Sequence, residues 1–320
     1  MNKILHGLNK EQTAAVQHTE GPMLIMAGAG SGKTKTLTCR IAWLLEQGVA
    51  PYKILAITFT NKAAGEMRRR VDKMVGPAAK DVWLFTFHAF CARFLRMEID
   101  KLGGYASNFV IYDTNDSKNV LKEVLKELNL DDKNFPVNSL IGQISNAKNN
   151  MQDAKEYARN AADFHSQKIA EIFNVYEKKL LQNNALDFDD LLLLTIRLLQ
   201  QNEEVRTKYQ ERFSYIMVDE YQDTNHVQYM LTKILSEKHH NLCVVGDVDQ
   251  SIYGWRGADI QNILDFEKDY PDAKVIKLEQ NYRSTQVILD AANAVIEHNT
   301  ARKPKELWTE NPNGTPITYY

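Results

Sequence analysis

Cysteine is scarce: Cys39, Cys91 and Cys243 are the only ones in 320 residues. They are odd in number and far apart, and none stands in a C-x-x-C or Cys/His spacing that would hold zinc or frame disulfides. A reducing, cytoplasmic setting is the expectation. Long hydrophobic runs are lacking too. No apolar stretch approaches the roughly 20 residues that span a bilayer, and Met1 to Asn9 has no signal-peptide core. No membrane association is expected. Nor is there an excess of charge of one sign. The formal net charge of −2 excludes a globally basic nucleic-acid coat, although Arg68-Arg69-Arg70 leaves room for a local basic groove. Internal repeats and low-complexity tracts are missing. With 44% hydrophobic and 25% charged residues, the composition is that of a soluble globular chain long enough for two domains with substantial cores.

What is present is an alternation. Short apolar, β-branched or aromatic runs at Met23–Met26, Ile54–Phe59, Val82–Phe87, Tyr215–Val218, Leu242–Val245 and Val275–Leu278 read as buried strands. Helix-like segments such as 62–75, 89–102 and 227–235 follow most of them, which predicts an α/β fold with a mostly parallel sheet. Between about Phe109 and Leu186 the pattern turns helical without strands, as in Val120-Leu121-Val124-Leu125-Leu128 and Ile169-Ile172-Phe173-Tyr176-Leu180. Its polar joints, 129–138 and 148–153, read as ordinary helix connections. The predicted organisation is an α/β domain over 1–108 and 188–278, interrupted by an α-helical subdomain at 109–187. Beyond Leu278 come a helix near 287–297 and a tail containing Pro and Asn.

The run Ala27-Gly28-Ala29-Gly30-Ser31-Gly32-Lys33-Thr34 joins the first strand to a helix. A phosphate-binding loop needs that context. Ala29, Gly30, Ser31 and Gly32 can turn backbone N–H groups onto phosphate oxygens, Lys33 adds a point charge for the outer phosphates, and Thr34 offers a hydroxyl to Mg²⁺. The first position departs from G-x-x-x-x-G-K-[ST], being Ala27, a small change that leaves the cradle glycines in place. A bound nucleoside triphosphate is expected.

Two adjacent acids, Asp219 and Glu220, end the run Tyr215–Val218. In a phosphate-loop protein this is where Mg²⁺ and the attacking water sit, so Asp219 would serve the metal shell and Glu220 would orient or deprotonate water. Taken alone, the pair also fits an acidic solvated turn. Residues Gly246 to Gly257 form a polar loop after another strand. Gln250 can accept from the water while donating to the γ-phosphate. Tyr253 and Trp255, beside Arg256, suit base stacking or core packing. Thr58-Phe59-Thr60-Asn61-Lys62 and Thr86-Phe87-His88 mix groups that position a nucleic-acid backbone, although Phe59 and Phe87 fit a core equally well, and His88 a helix start.

The ordered set Leu8-Asn9-Lys10-Glu11-Gln12, Gly32-Lys33-Thr34, Thr58-Phe59-Thr60-Asn61-Lys62-Ala63-Ala64, Thr86-Phe87-His88, Asp187-Phe188-Asp189-Asp190-Leu191, Val218-Asp219-Glu220-Tyr221-Gln222-Asp223, Gly246-Asp247-Val248-Asp249-Gln250-Ser251-Ile252-Tyr253 and Gln280-Asn281-Tyr282-Arg283-Ser284 resembles the amino-terminal half of the superfamily 1 DNA helicases of the UvrD, PcrA and Rep group. The resemblance implies a RecA-like P-loop NTPase sheet with an inserted helical subdomain, and ATP-driven 3′-to-5′ movement on single-stranded DNA or DNA with a 3′ single-stranded tail. It implies that Gln12 reads the adenine edge, Tyr282 stacks on the base and Arg283 is an arginine finger. By the same match Phe59, Asn61, His88, Phe188, Tyr253, Trp255 and Arg256 contact single-stranded DNA. Lys35 stands where many relatives have an adenine-flanking arginine, which implies weaker base selectivity.

Residues 279–320 are too short for the second motor domain that the family carries, and are expected to be only its beginning. Slow hydrolysis, no unwinding and a monomeric state are therefore the expectations for 1–320 alone, with repair or replication proteins as partners of the parent. Two rival functions remain at this level. A small-molecule kinase would be indifferent to DNA, and a nucleotide-dependent interaction module would have no motor activity.

Overall fold

The computed structural model describes residues 2–299 and 303–318. Its strands are β1 (Met23–Ala27), β2 (Ile54–Thr58), β3 (Trp83–Thr86), β4 (Val110–Ile111), β5 (Ala185–Leu186), β6 (Tyr215–Val218), β7 (Leu242–Gly246) and β8 (Lys274–Leu278). Six of them form one sheet in the order β3-β2-β6-β7-β1-β8, and every pairing is parallel. All six predicted strands form, with no end shifted by more than one residue. β1, β2 and β7 are buried at every position, because crossover helices such as Lys33–Glu46 and Asn61–Val75 cover a parallel sheet and turn both its faces into core. Met23, Ile25, Ile41, Met67, Met217 and Val245 belong to that core.

Parallel strands send all their carboxyl ends to one edge. The neighbours β1, β7 and β6 therefore deliver residues 27–34, 246–257 and 219–223 to the same side of the sheet, where open α/β sheets bind ligands.

The chain forms two compact units. The first, residues 1–86, 208–224 and 232–320, holds the six-stranded sheet. The second, residues 87–207 and 225–231, is mainly helical. Its helices Thr114–Glu127, Val137–Asn149 and Phe164–Gln182 bury the predicted apolar positions Val120, Leu121, Val124, Leu125, Ile169, Ile172, Phe173 and Leu180 in one cluster.

Three features differ from the sequence reading. Residues 87–108 and 188–207 group with the helical unit rather than with the sheet, since helices Phe87–Glu98 and Phe188–Gln201 are amphipathic and pack against each other. The helical stretch is not strand-free, because β4 and β5 pair in parallel at Val110–Ala185 and Ile111–Leu186. Two residues per strand are too few to show an alternation in sequence. Lys148, read as part of a connection, lies inside helix Val137–Asn149 with its side chain fully buried. Among the described residues no helix is long and apolar enough to cross a membrane.

Candidate active site

The loop after β1 is shaped by glycine. Gly30 and Gly32 have φ of +67° and +83°, a region that L side chains rarely adopt. A Cβ on Gly30 would sit 2.7 Å from Asn281 Nδ2 and 2.9 Å from Arg283 Cβ. Replacement of Gly30 by Ala is therefore expected to destabilise the fold by about 1–2 kcal/mol through backbone strain and to weaken triphosphate binding. Denaturant unfolding and nucleotide titration check this; an unchanged midpoint with unchanged affinity would remove the steric argument. Gly32 is the N-cap of helix Lys33–Glu46 and no side chain caps it. The first-turn N–H groups thus remain suited to an anion.

Lys33 Nζ donates to Glu220 Oε2 at 2.8 Å, a salt bridge linking the loop to the acids after β6. Glu220 adopts φ 51°, ψ 43°, in the left-handed region. Asp219 is 4% exposed and its Oδ1 accepts from the Glu220 N–H at 3.0 Å. Burial, then the Glu220 charge, pushes the Asp219 carboxyl up to about 6. Asp223 is likewise raised to about 6, by burial and by Glu220. A cation would relieve this crowding of carboxylates. Among the described residues no group of three or more His, Cys, Asp or Glu could hold a metal by itself. The donors Thr34 and Asp219 instead fit Mg²⁺, which takes one or two protein oxygens and completes its shell with phosphate and water.

Gln222 links this turn to the loop after β7. Its Nε2 donates to Glu220 Oε2 at 3.2 Å, and its Oε1 accepts from the Asp247 N–H at 2.9 Å. Gln250 Nε2 donates to Asp247 Oδ2 at 2.5 Å. The same loop carries Tyr253 and Trp255, 39% and 75% exposed, with ring centroids 6.5 Å apart. The side chain of Arg256 lies outside the described residues.

Residues 8–271 match the family profile of the UvrD/REP helicase N-terminal domain. The chain belongs to the UvrD/REP helicase family. Residues 276–320 match the UvrD-like helicase C-terminal domain. The ATP-dependent DNA helicase PcrA of Staphylococcus aureus is 57% identical over 321 residues, covering 100% of this chain and 44% of the relative. The protein of the same name from Bacillus subtilis is 57% identical over 320 residues, covering 100% of this chain and 43% of its own. The chain thus spans under half the length of the curated helicases it matches.

The UvrD/REP motif residues fall into separate places. Gln12 is 1% exposed. Its Nε2 donates to Ser31 O at 2.8 Å and its Oε1 accepts from the Asn9 N–H at 3.1 Å. An adenine would thus meet only the second amide hydrogen and second lone pair. Asn9 Nδ2 and the Tyr282 hydroxyl both donate to Gln280 Oε1, at 3.1 and 2.8 Å, and Tyr282 N–H donates to Gly30 O at 3.0 Å. Tyr282 itself is half exposed, and Arg283 is exposed. Lys35 Nζ donates to Gly7 O at 2.5 Å.

Of the expected DNA contacts, Phe59 is half-buried and Asn61 is exposed at the start of helix Asn61–Val75, capped by Thr60. Both lie in the sheet unit with Tyr253 and Trp255. His88 and Phe188 belong to the helical unit, ring centroids 5.7 Å apart and edge to face. Phe188 is 50% exposed, and burial lowers the His88 pKa. Phe87, by contrast, is core.

Three residues of evident structural importance had no role assigned from sequence: Gln222, Asn281 and Lys305. Asn281 is 2% exposed, its Nδ2 donating to Ala29 O at 2.6 Å and its Oδ1 accepting from the N–H groups of Arg283 and Ser284. Gln222 and Asn281 stand inside quoted motifs, so the signal was there. Lys305 stands in none.

Proposed function

We propose that this chain is the ATP-binding part of a DNA helicase that moves 3′ to 5′ along single-stranded DNA, acting in the cytoplasm in repair or replication. One observation carries the reading: a single loop, 246–257, holds Gln250 within the acid cluster and also presents the exposed rings of Tyr253 and Trp255. Phosphate state and DNA grip would then share one mechanical element.

In this mechanism Ala29 to Thr34 cradle the phosphates, and Lys33 leaves Glu220 for the outer phosphates. Mg²⁺ bound through Thr34 and Asp219 would neutralise charge between phosphates. Glu220, released from Lys33, accepts the proton of the attacking water, and Gln250 orients that water. Gln12 and Tyr282 receive the adenine, and Arg283 faces the transferring phosphoryl group. Residues from 279 onward are proposed as the opening of the second motor domain. For the polypeptide 1–320 taken alone as a monomer, slow hydrolysis and no strand separation are proposed, on the ground that it spans under half the length of the helicases it matches.

The test is DNA binding and DNA-stimulated ATP hydrolysis on wild type, Lys33→Ala and Trp255→Ala. Lys33→Ala should lose nucleotide. Trp255→Ala should lose about 1–3 kcal/mol of affinity for single-stranded DNA, the worth of one stacked base, with hydrolysis in the absence of DNA unchanged. Fluorescence anisotropy with a labelled oligonucleotide reads this directly, and equal affinity of wild type and Trp255→Ala would count against the DNA-gripping role of the loop.

A further inference from the structure

Residues 304–309 run back beside the end of β8 and over the phosphate loop. Trp308 N–H donates to Glu279 O at 3.2 Å, and Asn281 N–H to Trp308 O at 2.7 Å. Asn293 clasps the Leu307 backbone, Nδ2 donating to its carbonyl at 2.9 Å and Oδ1 accepting its N–H at 3.3 Å. The Leu307 side chain rests on Gly28, where a Cβ would collide with it.

So anchored, the segment directs Lys305 into the acid cluster. Its side chain is 3% exposed and Nζ bridges the carboxylates of Asp247 and Asp249. Asp247 also accepts from Gln250 Nε2 at 2.5 Å and from the Asp249 N–H at 3.1 Å. Through Gln222 it connects to Glu220 and so to Lys33. Two carboxylates this close, and both largely shielded from water, repel unless a cation lies between them. Without that cation the Asp249 N–H must hold the Asp247 carboxylate against this repulsion, which weakens the orientation that holds the Gln250 amide.

We propose that Lys305 is a positioning residue for ATP hydrolysis: by binding Asp247 and Asp249 together it fixes Gln250, so the geometry of the 246–257 loop depends on the docking of residues 304–309. The proposal rests on the ATP-site reading above. Its test combines amide hydrogen exchange without nucleotide, steady-state ATP hydrolysis and binding of a fluorescent ATP analogue. The variants are Lys305→Met and Lys305→Arg, with Lys305→Met made also in a Gln250→Ala background.

Lys305→Met should speed exchange in the loop about tenfold or more, with β1 and β2 unchanged, while Lys305→Arg stays near wild type. It should lower kcat about 10- to 100-fold with analogue affinity within about twofold, and cause no additional loss in the Gln250→Ala background. Loop exchange at the wild-type rate, exchange raised throughout the chain, or an equal loss in the Gln250→Ala background would each overturn it. Hydrogen exchange needs no turnover, so positioning is judged even if Lys33→Ala leaves nucleotide binding intact and the ATP-site reading fails.

Discussion

Glu220→Gln is expected to lower ATP hydrolysis by about 10²–10⁴-fold, the range for loss of a general base, and to leave nucleotide bound at least as tightly. The amide keeps the shape of the carboxylate and can occupy the same left-handed turn, but it cannot accept a proton from water. It also removes the negative charge that holds Lys33 at 2.8 Å, so the ammonium becomes available to a phosphate without first breaking an ion pair. Binding and chemistry should therefore separate. Single-turnover hydrolysis against equilibrium binding of a fluorescent ATP analogue reads both. A kcat within about threefold of wild type would remove Glu220 from the role of base. A nucleotide-dependent interaction module would keep its partner affinity in this variant.

Lys148→Met should unfold the helical unit far more easily, at a cost of about 3–5 kcal/mol, the usual penalty for removing one partner of a buried ion pair. Lys148 Nζ donates to Asp187 Oδ2 at 2.6 Å and lies 2.6 Å from Asp190 Oδ1. The Tyr176 hydroxyl adds a donor to Asp187 at 3.0 Å. Met fills the space of the lysine stem but leaves two shielded carboxylates facing each other. These acids form the capping box of helix Phe188–Gln201, so the cost falls on the element that presents Phe188.

The loss should depend on pH. Burial, then the Asp187 charge, pushes the Asp190 carboxyl up to about 7. Burial also works against the Asp187 charge, but Lys148 together with the hydrogen bonds from the Asp190 N–H and the Tyr176 hydroxyl outweighs it and holds that carboxyl below its usual range. In the variant the support of Lys148 is gone, and the folded state takes up a proton more readily than the unfolded chain does. The variant's deficit should then shrink as pH falls from about 7 toward the ordinary carboxylate range near 4. Denaturant unfolding at pH 7.5 and pH 5.5 measures the change. A loss under about 1 kcal/mol at the higher pH would place the pair among ion pairs of little consequence.

Short-range patterns were legible in the residues. Six predominantly apolar runs became six strands, because a short, mostly apolar run of four to six residues between turn signals has few alternatives inside an α/β core. The glycines of the phosphate loop, the two acids and Gln250 were legible because each lies within a few residues of a strand end, and parallel strands bring those ends together.

What was not legible depends on contacts between residues distant in the chain. Lys148 and Asp187 are 39 positions apart, Lys305 and Asp247 are 58 apart, and a lysine in a polar stretch carries no local mark of the carboxylates it will meet. The same holds for Gln12, whose amide is engaged by Ser31 rather than left open, and for the short pair β4 and β5. Local order in the sequence determined the six strands of the main sheet and which candidate groups stand at their ends. Only the tertiary structure decided which lysines are buried as counterions and which segment closes over the phosphate loop, because desolvation and pairing are properties of the space a side chain enters and not of its neighbours in sequence.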